Sequence, residues 1–251
     1  MKNILQHYAQ EQKDFIMRCI NALDDVNNKD IVRTLGFCEP NLVEIISDLK
    51  NHYPDVSLML DGGFLNAEKK KVVLFPKYFG SVDSDIIKYN IKYSNKFVKL
   101  EHPQILGTLL NSGFDYSKFG DIIVDDNGIV NVVVDRILSE TLPYVVTRIA
   151  NQNVEFIEID EIKVESAKLV EKSVRAKSIR ADVFVKVITR TSRMKAQQLI
   201  NAKLVKINYT NLIDITKVIK ENDIISIRGY GRFTIVKIAP TSKGNFNIIY
   251  R

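Results

Sequence analysis

At 251 residues the chain has room for two or three small domains, and 45% hydrophobic against 26% charged residues is a globular balance. No apolar run approaches the roughly 20 residues of a membrane-spanning helix, and the opening MKNILQHYAQEQKDF has no signal-peptide core. Two cysteines, Cys19 and Cys38, and three histidines supply neither a disulfide framework nor a rich metal site. No cofactor, metal or membrane insertion is expected, and the expected location is cytoplasmic. The formal charge of +6 is unevenly spread. Lys163 to Arg251 carries 19 basic and 6 acidic residues, whereas Met1 to Ile162 carries 17 basic and 24 acidic. A basic segment on an acidic body points to a polyanionic partner for the C-terminal part.

Residues 1–76 read as a small α+β module. Ile4, Leu5, Tyr8, Phe15, Ile16, Cys19, Ile20 and Leu23 recur at helical spacing and predict a helix over 4–23. Leu42, Ile45, Ile46 and Leu49 form the stripe of a second helix over 41–52, with Pro40 at its start and Pro54 beyond its end. VSLMLDGGF and KKKVVLFP predict two strands around a Gly-Gly bend.

Residues 77–162 follow a regular order. NIKYSNKFVKL predicts a strand with Ile91, Tyr93 and Phe97, and PQILGTLLNSGF a helix from Pro103 to Gly113. DIIVDD and GIVNVVVD are strands around the Asp126-Asn127-Gly128 turn. RILSETLPYVVTRI predicts a helix kinked at Pro143, and NVEFIEID a return strand. The sum is β-α-β-β-α-β, the ferredoxin-like order of many RNA-binding modules. The strand GIVNVVVD carries no aromatic residue for base stacking, and the surroundings are acidic. These features favour a protein-binding or spacer role over RNA recognition on the sheet.

The Lys- and Glu-rich stretch 163–177 predicts a helical linker. In residues 178–251, IRADVFVKVI predicts an amphipathic helix with Val183–Val187 and Phe184–Ile188 pairs, and with Asp182, Lys186 and Arg190 on another face. Ser192 is placed to cap a second helix with the stripe Ala196, Leu199 and Ile200. Short strands follow at LVKIN, near Ile213–Thr216, and at DIISIR, RFTIVKIA and FNIIY. The fold class is therefore α+β.

Enzyme motifs are missing. There is no Gly-x-x-x-x-Gly-Lys-Ser/Thr loop, no His-Glu-x-x-His and no cysteine pair with zinc spacing. His7, His52 and His102 are far apart in sequence. Asp121, Asp125 and Asp126 flank the Asn-Gly turn and read as turn chemistry rather than a metal site. The C-terminal cations are different. Arg180, Lys186, Arg190, Arg193 and Lys195 lie on two consecutive helices whose apolar stripes must turn inward, which leaves the cations on an outer surface for phosphates. Arg228 and Arg232 bracket a Gly-Tyr-Gly bend whose backbone N–H groups can approach an anion, and Tyr230 can stack on a base. With Ser192 and Lys203 these residues form the candidate RNA-binding set; no catalytic residue is assigned.

RADVFVKVITRTSRMKAQQLINAKLVKIN followed by ENDIISIRGYGRF resembles the S4 (αL-type) RNA-binding domain. Its Arg-x-Asp falls on Arg180 and Asp182, its Ser-Arg-x-x-Ala on Ser192, Arg193 and Ala196, its Val-x-Val-Asn strand on Val205, Ile207 and Asn208, and its Asp-x-Ile on Asp223 and Ile225. Lys203, Tyr209 and Asn222 stand where that family commonly has glycine. DGGFLNAEKKKVV, ILGTLLNSGFDYSKFGDIIV and ISIRGYGRF make nearly the whole chain similar to the YlmH family of bacterial S4-domain proteins. Within it, Tyr116 replaces an expected arginine, and Pro103-Gln104 an expected Arg-Asp pair. The resemblance implies an N-terminal module (1–76), a ferredoxin-like candidate RNA-binding domain (77–162) and, after the linker, an S4 domain (178–251). It also implies docking on RNA of the large ribosomal subunit, rRNA and peptidyl-tRNA, in rescue of stalled translation with alanine tailing. The arginines of the two motifs, Arg180 and Arg193, would contact RNA. Two alternatives stay open: an S4-targeted rRNA-modifying enzyme, and an interaction protein associated with cell division.

Overall fold

The computed structural model describes residues 10–95, 98–164, 170–241 and 244–251. The expected helix positions Ile4, Leu5 and Tyr8, the strand position Phe97, and His7 lie outside them. The chain divides into two compact units, Met1–Glu165 and Ser166–Arg251.

In the first unit, α1 (Gln10–Lys29), β1 (Arg33–Cys38), α2 (Pro40–Lys50), β2 (Val56–Asp61) and β3 (Lys70–Pro76) build the N-terminal module. Its antiparallel sheet has the order β1-β3-β2. The predicted stripes meet: Phe15, Ile16, Cys19 and Leu23 of α1 pack with Ile45, Ile46 and Leu49 of α2 over Val72 and Leu74. Strand β1 was not expected from the sequence. It is short, and a bulge between Thr34 and Gly36 breaks its alternation.

The same unit continues with β4 (Ile86–Lys92), α3 (His102–Asn111), β5 (Phe119–Val124), β6 (Val130–Asp135), α4 (Leu142–Val145), β7 (Arg148–Ile149), β8 (Gln152–Asn153) and β9 (Glu155–Glu158). The four-stranded sheet is antiparallel in the order β5-β6-β4-β9, so the first and third strands of the β-α-β-β-α-β order are central. Ile105 and Leu109 of α3 pack with Ile87, Tyr89, Ile91, Val130, Val132 and Val134 on one face. A capping box between Glu101 and Gln104 starts α3.

Two expectations need correction here. The first strand occupies Ile86–Lys92 rather than 90–100. The second helix does not form: Arg136–Leu138 is a 3-10 turn and Leu142–Val145 a single helical turn. Pro143 has no N–H for a helix interior, so it sits at the start of that turn. Leu138, Leu142, Val146 and Ile149 still enter the core from these short pieces.

The opposite face of this sheet is covered by the N-terminal module. Val133 packs with Phe37 of β1. A Cβ on Gly120 would stand 2.8 Å from Phe37 Cε1, and one on Gly63 2.9 Å from Val133 Cγ1. Lys71 Nζ donates to the Asp85 carbonyl (2.8 Å) and pairs with Asp135 (3.2 Å), which Lys118 also reaches (3.0 Å). Asp121 accepts the backbone N–H groups of Glu68 (2.6 Å) and Lys69 (3.2 Å), and burial raises its carboxyl pKa. It is therefore a clamp on the loop before β3 and not a turn residue. Asp125 does serve the turn, accepting the Ile129 N–H at 2.6 Å.

The second unit contains β10 (Lys172–Ala176), α5 (Ala181–Thr189), α6 (Arg193–Asn201), β11 (Val205–Ile207), β12 (Thr210–Asn211), β13 (Ile224–Ile227), β14 (Gly231–Pro240) and β15 (Phe246–Tyr250). The sheet order is β10-β15-β14-β13-β11-β12, every pairing antiparallel. The expected helical linker over 163–177 is corrected for its described end. Residues 172–176 form a strand because Val174 and Ala176 alternate inward and pair with Ile248 and Phe246, covering the edge of β15. The strand expected near Ile213–Thr216 is absent; Asp214 accepts the Thr216 N–H (2.8 Å) and makes a turn there. Phe184, Val185, Ala196, Leu199 and Ile200 from the helices pack on Val205, Ile207, Ile225, Ile227, Ile235 and Ile248.

Candidate nucleic-acid interface

Arg180 is the N-cap residue of α5, and Asp182 lies in its first turn. The Asp182 carboxylate is fully buried, while the side chains of Arg180 and Arg193 remain 32% and 55% exposed. Arg180 donates from Nε (3.0 Å) and Nη2 (3.2 Å), Arg193 from Nε (3.0 Å), and Gln197 from Nε2 (3.3 Å). Burial would raise the Asp182 pKa, but the hydrogen bonds from Arg180, Arg193 and Gln197 outweigh it and hold the carboxyl below the usual carboxylate range. One buried anion thus fixes two guanidinium groups from two helix starts at the surface, and the trio keeps a net positive charge. This corrects the expectation that Asp182 shares an outer face with Lys186 and Arg190. It also means that Arg180 and Arg193 meet any phosphate while already held by an internal acid.

Lys186 and Arg190 are exposed on α5 and at its end; Arg190 closes the helix in the left-handed region at φ 53°. Ser192 caps α6, its Oγ accepting the Lys195 N–H at 3.2 Å, and the Lys195 side chain is exposed. Ser192 therefore has a structural task independent of any RNA.

A second group of cations sits at the far end of α6. Nine helical residues at 1.5 Å each place it about 13 Å from Arg193. The Arg228 N–H donates to the Leu204 carbonyl at 2.9 Å, which ties the β13–β14 bend to the turn carrying Lys203. Arg228, Tyr230 and Lys203 are exposed. Gly229 (φ +84°) and Gly231 (φ +116°) give the bend its reversal. Arg232 does not join either group. It pairs with Ser226 across β13 and β14, so it projects from the sheet face opposite the helices. Its Nε donates to Ser226 Oγ (3.3 Å), and its guanidinium carbon lies 5.5 Å from the Tyr209 ring centroid.

Lys203 (φ 56°), Tyr209 (φ 67°) and Asn222 (φ 71°), which stand where glycine was expected, all adopt the left-handed conformation. Asn208 (φ 48°) and Tyr209 together form a two-residue hairpin turn between β11 and β12. The turn geometry survives without glycine, at a cost of about 1 kcal/mol per residue and less for asparagine. Sequence reasoning missed Lys206, which lies in register with Ser226 and Arg232. The signal was present: in LVKIN, Lys206 alternates with the buried Val205 and Ile207. Among the described residues no group of three or more His, Cys, Asp or Glu is placed to hold a metal. No described helix is long and apolar enough to cross a membrane.

Residues 81–164 match the family model described as "Putative RNA-binding domain in YlmH". The chain is 28% identical over 250 residues to the Bacillus subtilis protein named "Ribosome-associated protein quality control protein P2", covering 97% of this chain and 95% of that one. It is also similar to the solved structure of "Cell division protein ylmH from Streptococcus pneumoniae", with TM-score 0.52 and 26% identity over 61% of this chain and 93% of that chain. The α+β fold and the likeness to the YlmH family expected from the sequence are both borne out.

Proposed function

We propose that this YlmH-like chain is a cytoplasmic, non-catalytic RNA-binding protein that docks through its S4-like C-terminal unit on the large ribosomal subunit, on rRNA and peptidyl-tRNA, in rescue of stalled translation with alanine tailing. The observation that carries the reading is the pair of surface guanidiniums, Arg180 and Arg193, set by one buried carboxylate. Such a pair is preorganised for phosphate, since Arg presents a rigid fork of donors and little side-chain freedom is left to lose. Lys186, Arg190 and Lys195 add exposed charge around it. The name of the B. subtilis relative supports a ribosomal setting, and that of the matched family supports RNA as the ligand.

In the middle domain the covered sheet face argues against base stacking on the central strands. RNA contact by that domain would use its loops or its helical side. The test of the whole reading is co-sedimentation of the full chain with purified large subunits, with Arg193→Glu as the variant. The name of the S. pneumoniae structure supports a second reading, an interaction protein of cell division. Partners that stay bound after RNA digestion would favour that reading.

A further inference from the structure

We propose that the outer face of the C-terminal sheet is a second RNA-contact surface, distinct from the helix pair, with Lys206, Arg232, Lys237 and Arg175 as its phosphate contacts. The proposal deepens the RNA-binding reading and rests on it.

Strand register places the four cations on one face. Lys206 pairs with Ser226, and Ser226 with Arg232, in a row across β11, β13 and β14. Lys237 lies further along β14, opposite Ile249, which pairs with Ser173; Arg175 follows two residues on, opposite Asn247. The bulge between Ile235 and Lys237 keeps Lys237 outward while Ile235 and Ile238 pack inward. All four cations are exposed. At about 4.8 Å between strands and 3.4 Å per residue, they track over roughly 25 Å of surface.

The charge on this face is unbalanced. None of the six strands contains an aspartate or glutamate. Among the described residues, Arg175, Lys206 and Lys237 form no ion pair with a carboxylate. The Glu221 carboxylate reaches the edge of β14, where it accepts the Ile238 N–H at 2.9 Å beside Lys237. The charged residues of the strands themselves are all cations, and an extended row of strand cations matches a partner with closely repeated negative charge, such as a nucleic-acid backbone. Tyr209 beside Arg232 adds an aromatic surface at one end of the row. The helix pair lies across the core from this face. The RNA stretch it holds is therefore a different one.

The test uses the full chain, purified large ribosomal subunits and a double-stranded RNA hairpin as probes, and binding measured from 50 to 300 mM salt. The variants are Lys206→Gln with Lys237→Gln, the same pair to Glu, and Arg193→Glu as comparator. The Gln pair should weaken binding about tenfold and flatten the log–log salt slope by about 1.4 to 1.8, as expected for two lost phosphate contacts. The Glu pair should weaken it further. If both pairs bind like the wild-type protein with an unchanged slope while Arg193→Glu loses binding, the sheet-face proposal is overturned and the helix-pair reading stands. A wild-type protein that binds neither probe overturns both. Polyglutamate that displaces the Gln-sensitive component as well as RNA does at equal charge overturns RNA as the partner of this face.

Discussion

Arg193 Nε lies 3.0 Å from Oδ2 of Asp182, a residue eleven positions earlier on another helix. That contact links the starts of α5 and α6 and makes the aspartate a structural centre as well as an orienting one. Removing it would leave two guanidiniums without their anion. Breaking a buried pair costs about 3–5 kcal/mol, but both arginines are partly in solvent and are screened accordingly. Asp182→Ala is therefore expected to destabilise the protein by about 2 kcal/mol, read from urea denaturation midpoints. A change below about 0.5 kcal/mol would refute the structural role.

The pH dependence follows from the same site. The pKa values of Asp182 and Asp135 are both lowered; burial opposes this, and the hydrogen bonds from Arg180 and Arg193 in one case and Lys118 in the other overcome it. A depressed folded pKa gives stability that is complete above the unfolded value of about 3.9 and is lost as pH falls through the folded value. Stability should therefore drop below about pH 4, and Asp182→Asn should flatten that arm. Urea melts between pH 2.5 and 6 check both.

Lys69 predicts a second arm, at high pH and of the same sign. Burial pushes its ammonium down to about 8, although Nζ donates to the Phe119 carbonyl (3.0 Å) and sits on the Tyr116 ring. Between about pH 8 and 10.4 the unfolded chain holds the proton that the folded chain has released. Stability should rise over that window relative to Lys69→Met, in paired urea melts. Parallel curves for the two proteins would contradict it.

The closed sheet face gives a steric prediction. A methyl at position 120 meets the Phe37 ring at 2.8 Å, and overpacking of this kind costs about 1–3 kcal/mol. Gly120→Ala should lower the melting temperature and raise hydrogen exchange in β1 and β5 together. Exchange confined to β5 would count against the packing of the two modules.

Glycine is expected to be tolerated at position 222, where Asn222 stands. Its φ of 71° suits glycine, and its N–H bond to the Ile235 carbonyl does not depend on the side chain. Asn222→Gly should leave stability unchanged or raise it by up to about 1 kcal/mol, because relief of the left-handed strain offsets the added freedom of the unfolded chain. A clear loss in denaturant midpoint would show that the side chain has a role of its own.

How much of this was legible in the sequence differs by element. The helices α2, α3, α5 and α6 and strands β2, β3, β5 and β6 follow from periodicity and turn chemistry, because their burial depends on local spacing. Residues 172–176 and the segment around Pro143 misled. A Lys-rich stretch looks helical until β15 offers it an edge, and a proline inside an apolar pattern does not say which side of it remains helical. At the candidate site, Arg180 and Arg193 were readable from charge on amphipathic helices. Their shared carboxylate was not, since Asp182 shares helical spacing with the exposed Lys186 and Arg190. Lys206 and the position of Arg232 required strand register, which a lone strand sequence does not contain.

The most direct measurement is the binding of wild-type and Arg193→Glu protein to purified large ribosomal subunits across a salt series. With four to six phosphates engaged, the wild-type log–log slope should be about −3 to −4. The variant should bind at least tenfold more weakly, with a shallower slope. Arg180 and Gln197 still hold Asp182, so it should be less stable but remain folded by circular dichroism at the binding temperature. Equal affinity and equal slope for the two proteins would contradict the claim that the Asp182-anchored arginines hold RNA.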